Sequence, residues 1–184
     1  MGYKGTERLA MVSAILLAAG KSERMGRFKQ LLPLGGKTFI ECCVENLLAS
    51  PAGEVIVVTG HNEQAIRRTL EGQPIQLVHN PDYELGMATS IVRGFRHISR
   101  ESTAGMIALA DQPTIPASVM DQLIIAYRKT DPLILVPTHR ERRGHPIIIS
   151  RQLASEVESM DLSIGLRQVL SAHASGIECL EVET

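Results

Sequence analysis

Residues 16–38 read LLAAGKSERMGRFKQLLPLGGKT. An apolar run ends at Ala18-Ala19 and passes into a loop carrying Gly20, Lys21, Ser22, Arg24, Gly26 and Lys29. A second glycine turn, Gly35-Gly36, follows. Glycines let backbone N–H groups approach a phosphate with no Cβ in the way. Arg24 and Lys29 add charge-assisted hydrogen bonds to phosphate oxygens. The spacing fits neither Walker A nor G-x-G-x-x-G. The plain alternative is a glycine turn with solvated cations, and Lys21 serves either phosphate or solvent.

Outward from this loop, short apolar runs alternate with amphipathic segments. Strands are predicted over 13–19, 54–59, 75–78, 105–110, 132–136, 146–149 and 176–182. Helices are predicted over 38–49, 62–70, 87–98, 116–129, 150–157 and 163–172. Asn62 is a candidate cap for the second helix, and Pro116 suits the first turn of the fourth. Strands apolar on both faces and separated by helices imply a mainly parallel sheet covered on each side, an α/β fold with three α/β/α layers. Ligands then sit beyond the carboxyl ends of the strands. Repeats, low-complexity stretches and dividing linkers do not occur.

The 184 residues suit one compact domain, 11–184, behind a short polar leader, 1–10. A net charge of −1 and 3% aromatics with no Trp argue against a nucleic-acid surface or an anionic membrane as partner. Cys42, Cys43 and Cys179 form neither a disulfide framework nor a CxxC zinc site, and the adjacent pair reads as helix packing. The leader lacks a secretory apolar segment, and the first apolar run is too short to span a bilayer, so a cytoplasmic protein is expected.

Asp111-Gln112-Pro113 follows the run GMIALA directly. A carboxylate at the end of a buried parallel strand lies on the ligand edge, and Mg²⁺ prefers carboxylate, water and phosphate oxygens. Asp111 is therefore the candidate metal ligand; a turn or capping aspartate is the other reading. Asn80, Gly86 and Ser90 surround a predicted helix start suited to an anion or base, with ordinary Asn80-Pro81 turn chemistry as the alternative. The basic segment 139–146 is read as a hairpin-like loop. Its Arg143, Gly144, His145 and Pro146 either meet an acidic acceptor or form a solvated turn, and His145 also reads as a structural histidine. His61 borders the site or simply enters a helix.

The motif L-A-A-G-x-S-x-R-M-G-x-x-K-x-L-L-P, carried by Leu17 through Pro33, resembles the loop of the molybdenum cofactor cytidylyltransferase family and its nucleotidyltransferase relatives. The resemblance runs through nearly the whole chain. It implies a Rossmann-like fold of the nucleotide-diphospho-sugar transferase type. It implies that Ala18, Ala19, Gly20 and Ser22 meet the nucleotide, that Arg24 and Lys29 hold its triphosphate as catalytic cations, and that Asp111 binds Mg²⁺ as the third catalytic residue. It places Asn80, Gly86 and Ser90 among the nucleotide contacts and Arg143, Gly144, His145 and Pro146 at the acceptor. The implied substrates are CTP, or GTP in a neighbouring branch, and molybdopterin, with a molybdoenzyme receiving the product. LAAG and LLPLGG look more like the cytidylyl branch. Other readings are a guanylyltransferase, a sugar-phosphate nucleotidyltransferase, or a maturation factor that binds nucleotide without turnover. The family carries a further metal aspartate in a D-x-D-T-P-x-D-type segment. That segment would begin about where residue 184 falls, so the chain is expected to lack it.

Overall fold

The computed structural model describes residues 10–21 and 28–183. Of the expected leader, only Ala10 is described; its carbonyl accepts from Arg128 Nε at 2.9 Å.

The chain runs β1 (Met11–Leu17), β2 (Pro33–Leu34), β3 (Lys37–Thr38), α1 (Phe39–Leu48), β4 (Glu54–Thr59), α2 (Glu63–Thr69), β5 (Gln76–His79), α3 (Met87–Phe95) and β6 (Ser102–Leu109). It continues with α4 (Ala117–Thr130), β7 (Ile134–His139), β8 (Arg142–Arg143), β9 (Ile147–Ser150), α5 (Ala154–Ser159), α6 (Leu166–Ala172) and β10 (Ile177–Glu181). The main sheet has the order β10-β7-β9-β6-β1-β4-β5, with β8 added on β7. β1 pairs in parallel with both β4 and β6, Leu17 lying opposite Val58 and Leu109. β4–β5 and β10–β7 are parallel too, while β9 runs antiparallel between β6 and β7. The mainly parallel three-layer architecture expected from the sequence is the one observed.

Alternation along β1 decides the layering. Val12, Ala14 and Leu16 enter one core with α1, α2 and α4, through Val44, Leu47, Ile66 and Leu123. Ile15 and Leu17 enter the other with α3, α5 and α6, through Ile91, Phe95, Val157 and Val169. Gly94 lets α3 approach this second face, since a Cβ there would collide with Ile15 Cγ2. Cys43 is buried in the first core, and burial pushes its thiol up to about 12, in keeping with a packing role.

Several boundaries differ from the sequence expectation. Asn62 precedes α2 with a left-handed φ of 58° and makes no side-chain cap bond, so it does not cap in the expected way. Pro116 stands at the cap of α4, one residue before its first turn. The helix expected over 150–157 opens as a 3₁₀ turn, Arg151–Leu153. α6 starts only at Leu166, because Gly165 at φ 68° interrupts the chain. α1 also carries a start signal absent from the sequence reading. Thr38 and Glu41 form a capping box, with Thr38 N–H donating to Glu41 Oε2 at 2.7 Å and Glu41 N–H to Thr38 Oγ1 at 3.4 Å.

The amino ends of the central strands are closed by a polar network. Glu54 Oε1 accepts from Ser13 Oγ at 2.5 Å and from the Ser99 N–H at 2.6 Å. Ser13 Oγ also shares a short hydrogen bond with Ser102 Oγ. Arg151 Nη1 donates to the carbonyls of Ser99 and Ser102 at 2.5 and 3.2 Å. Among the described residues no helix is long and apolar enough to cross a membrane.

Candidate functional site

Because β1, β4, β5 and β6 are parallel, their carboxyl ends share one edge, and the segments leaving them build a cleft of about 560 Å³. Ala19, Gly20 and Lys21 leave β1, Ala110 and Asp111 leave β6, and Gly86, Met87 and Ser90 open α3; all line the cleft. Lys29 lines it too, so of the expected phosphate residues Gly20 and Lys29 are together at this edge. Ser22 and Arg24 lie outside the described residues.

Two expected contacts stand behind the wall. Ala18 is fully buried, and its N–H extends the sheet by donating to Val58 O at 2.9 Å. Asn80 is 2% exposed. Its Nδ2 donates to Thr89 Oγ1 at 2.8 Å and Ser90 Oγ at 2.9 Å, while its Oδ1 accepts from the Asp82 N–H at 3.1 Å. Asn80 thus spends its amide on the turn that presents Gly86 and Ser90. Gly86, at φ 112° and ψ 175°, adopts a backbone that favours glycine at the head of α3.

Other residues on this edge went unread in the sequence. Gln30 is 6% exposed, lines the cleft, and donates from Nε2 to the Gly20 carbonyl at 3.1 Å. Its neighbour Lys29 is marked by its charge, and a glutamine carries no comparable signal. Tyr83 and Glu84 form the opposite rim. Lys21 Nζ reaches Glu84 Oε1 at 2.5 Å and lies 5.8 Å from the Tyr83 ring centroid. That lysine, by hydrogen bond and then by charge, holds the Glu84 carboxyl below its ordinary value. Gly60 makes room for Tyr83, whose Cβ and Cγ would each lie 2.6 Å from a Cβ at that position. His61 stands between the Phe28 and Tyr83 rings, at 5.9 and 6.2 Å, and its N–H closes on the Ala19 carbonyl at 3.1 Å. It touches the rim through Tyr83 and lines neither cleft.

A second cleft, about 360 Å³, opens on the other side of Asp111. Gln112, Thr138, Arg142, Gly144 and His145 line it, with Val182 closing one side. The expected hairpin exists: β7 and β8 pair through Thr138↔Arg143 and His139↔Arg142, turning at Arg140 and Glu141 with φ of 49° and 66°. Gly144 and His145 line this cleft. Arg143 does not line it, and Arg142 does, because adjacent residues of a strand point to opposite faces. Pro146 is buried behind it, beside a small hollow shared with Gln112. From the neighbouring strand, Glu181 holds the hairpin, accepting from Thr138 Oγ1 at 2.7 Å and the Arg140 N–H at 2.9 Å. Burial pushes the His145 pKa down, and the negative charge of Asp111 works against that shift.

Asp111 is exposed and lines both clefts. Among the described residues, no group of three or more His, Cys, Asp and Glu could hold a metal ion by itself. One exposed carboxylate beside a cleft lined by Lys21 and Lys29 nonetheless fits a hard divalent ion, which keeps several waters and takes other ligands from substrate phosphates.

The MobA-like NTP transferase domain family matches residues 14–177. Nicotine blue oxidoreductase of Paenarthrobacter nicotinovorans is 32% identical over 84% of this chain and 78% of its own. Molybdenum cofactor cytidylyltransferase of Escherichia coli K12 is 28% identical over 88% and 82%. Among solved structures, Rv0371c of Mycobacterium tuberculosis H37Rv superposes with a TM-score of 0.85 at 21% identity, covering 96% of this chain and 90% of that one. A further structure of Rv0371c is a complex with manganese. The match across nearly the whole sheet, together with the 32% identical relative, places the chain in the MobA-like NTP transferase domain family of the nucleotidyltransferase superfamily.

Proposed function

We propose that this chain joins CMP from CTP to the terminal phosphate of molybdopterin and releases pyrophosphate, working in the cytoplasm with Mg²⁺. The observation that carries this reading is the position of Asp111, shared by the two clefts. One cleft takes the nucleotide and the other the acceptor, so their phosphates would meet beside that carboxylate.

An acceptor phosphate has a second pKa near ~6 and is already anionic at neutrality, so no general base is required. Its oxygen attacks the nucleotide α-phosphorus; the bond from the α-phosphorus to the bridging oxygen breaks, and pyrophosphate leaves. The obstacle is repulsion between anions, which aligned cations reduce. Lys21 and Lys29 line the triphosphate side, and Arg24 is expected there as well. Gln30 holds the Gly20 carbonyl where the chain leaves β1. Arg142 faces the acceptor side. Asp111 would hold the metal, which when bound neutralises the phosphates and aligns them. The manganese complex of Rv0371c supports a divalent ion in this fold, and the Escherichia coli relative supports the cytidylyl reading.

The test is pyrophosphate release by the full chain with Mg²⁺, each NTP in turn, and molybdopterin or a sugar phosphate. CTP with molybdopterin is expected to dominate. Dominance of GTP selects a guanylyltransferase. Nucleotide binding with no turnover selects a maturation factor that passes cofactor to a molybdoenzyme. The Paenarthrobacter relative supports one other reading, an oxidoreductase; a redox change of nicotine blue catalysed by the chain without any NTP would replace the transferase proposal.

A further inference from the structure

Gln112 follows Asp111 and takes part in the wall of the second cleft. Its backbone is pinned on both sides: the N–H donates to Leu109 O at 3.2 Å, and the carbonyl accepts from the Ile115 N–H at 3.4 Å. Its side-chain Oε1 is buried and accepts no hydrogen bond from any described residue. Buried polar atoms in native proteins are nearly always paired, and an exception calls for a physical reason. Asp121 Oδ1 shares this condition, but Asp121 lines neither cleft, so among the described residues Gln112 alone has an orphan oxygen and a place in a cleft wall, between the second cleft and the small hollow beside Pro146. The donors sharing that space, on Arg142, His139, His145, Thr114 and Thr138, make no bond to it.

We infer that Gln112 is a specificity-determining residue of the acceptor cleft, accepting a hydrogen bond from a ring N–H or exocyclic amino group of a nitrogen heterocycle. The inference rests on the second cleft being the acceptor site, and it adds the chemical group by which the acceptor is chosen. A phosphate selects no particular ring, and Arg142 would meet it from any donor molecule. The buried oxygen would be reached by a turn of the Gln112 side chain toward the cleft, and a ring N–H arriving beside Asp111 would stabilise that turn. A pterin offers such groups; a sugar phosphate offers hydroxyls, and a ring methylated on nitrogen offers none at that position. The selection is sharp because an orphaned oxygen gains a partner only when the correct ring arrives.

Direct binding to the full chain tests this, with 6-carboxypterin and its ring-N-methylated counterpart as probes and CTP as control. Wild type is expected to prefer the unmethylated pterin about tenfold, the scale of one hydrogen bond to a buried group. Gln112→Met, similar in length and unable to accept strongly, is expected to bind that pterin about tenfold more weakly, lose the preference, and bind CTP unchanged. Gln112→Glu keeps an acceptor oxygen and is expected to retain the preference. An unaltered preference in Gln112→Met overturns the inference. So does equal loss in the Glu and Met variants, which would assign the contact to the amide nitrogen. Failure of wild type to bind either pterin while binding CTP overturns the pterin-acceptor reading itself, and the inference with it, in an arm separate from the variants.

Discussion

At the amino ends of β1, β4 and β6, Ser13, Glu54, Ser99 and Ser102 satisfy one another beside Arg151. At the carboxyl ends of the same strands, Lys21, Lys29, Glu84 and Asp111 surround open space. The strands are common to both ends, so the difference lies in what their termini do with polar atoms. One end closes its hydrogen bonds within the protein and contributes stability. The other presents charge around a cleft, where a ligand can compete for it. The comparison makes a sharp demand: substitutions at the two ends should separate, one set acting on turnover and the other on unfolding.

Asp111→Asn gives the largest expected effect. The side chain is exposed, so its volume and packing matter little to folding. Loss of the carboxylate is expected to lower kcat/KM about 10²–10³-fold, the usual scale for one electrostatic contact at a transition state, with Tm nearly unchanged. Steady-state pyrophosphate release and a thermal melt on the same sample decide it. Full activity would remove Asp111 from the site.

Glu54→Ala is the counterpart at the opposite end. It leaves the Ser99 N–H and the Ser13 hydroxyl without the acceptor they share. The Ser13 hydroxyl keeps Ser102 Oγ as a partner, so chiefly the half-buried Ser99 N–H is stranded, and a loss of about 1–2 kcal/mol is expected. Urea unfolding should show it as a lower midpoint with a similar slope. At 25 °C, kcat/KM should stay within about twofold of wild type, because the substituted residue is at the far edge of the sheet from the cleft. A large kinetic defect would mean that the two ends communicate, and the contrast would fail.

The carboxyl edge was the more legible of the two in sequence, though unevenly. The run from Leu16 to Gly20 announces a buried strand entering a glycine loop, and the run GMIALA places Asp111 at the end of another; both signals are local. The strand predicted over 54–59 has the observed boundaries. The second cleft was harder. Whether Arg142 or Arg143 faces it depends on the pairing register of β8, which no local pattern contains. Asn80 resembles a ligand contact by type and position, but its amide is taken up by Thr89 and Ser90 across a turn. The Ser13–Glu54–Ser102 network joins three strands far apart in the chain, so pairing alone could reveal it.

Gln30→Leu sharpens the comparison from within the carboxyl edge, since Gln30 is buried like the Glu54 network yet lines the cleft. Its bond holds the Gly20 carbonyl where the chain leaves β1, so its loss should act on nucleotide binding first. A rise of about fivefold in KM for CTP, the worth of about 1 kcal/mol, is expected. The kcat should be nearly constant, and KM for the acceptor unchanged. Equal effects on both KM values would indicate general loosening of the edge.

The smallest effect expected is that of Thr38→Ala, which asks whether everything near the cleft edge serves ligands. Thr38 closes the capping box of α1, a stability device in the segment that follows the glycine loop. Losing the cap should cost about 1 kcal/mol with no change in kcat/KM. The pH dependence identifies the cause. Hydrogen bonds from the Thr38 side chain, then from its backbone N–H, hold the Glu41 carboxyl below its ordinary value. A carboxyl lowered in the folded state contributes stability above its unfolded pKa, and that contribution fades as pH falls through the folded value. The gap in unfolding free energy between wild type and Thr38→Ala should therefore be full at pH 7 and shrink below about pH 4.5, near the unperturbed glutamate value. A gap that stays constant through acid would assign the whole effect to the neutral bond from the Glu41 N–H to Thr38 Oγ1, and none to the charged half of the box.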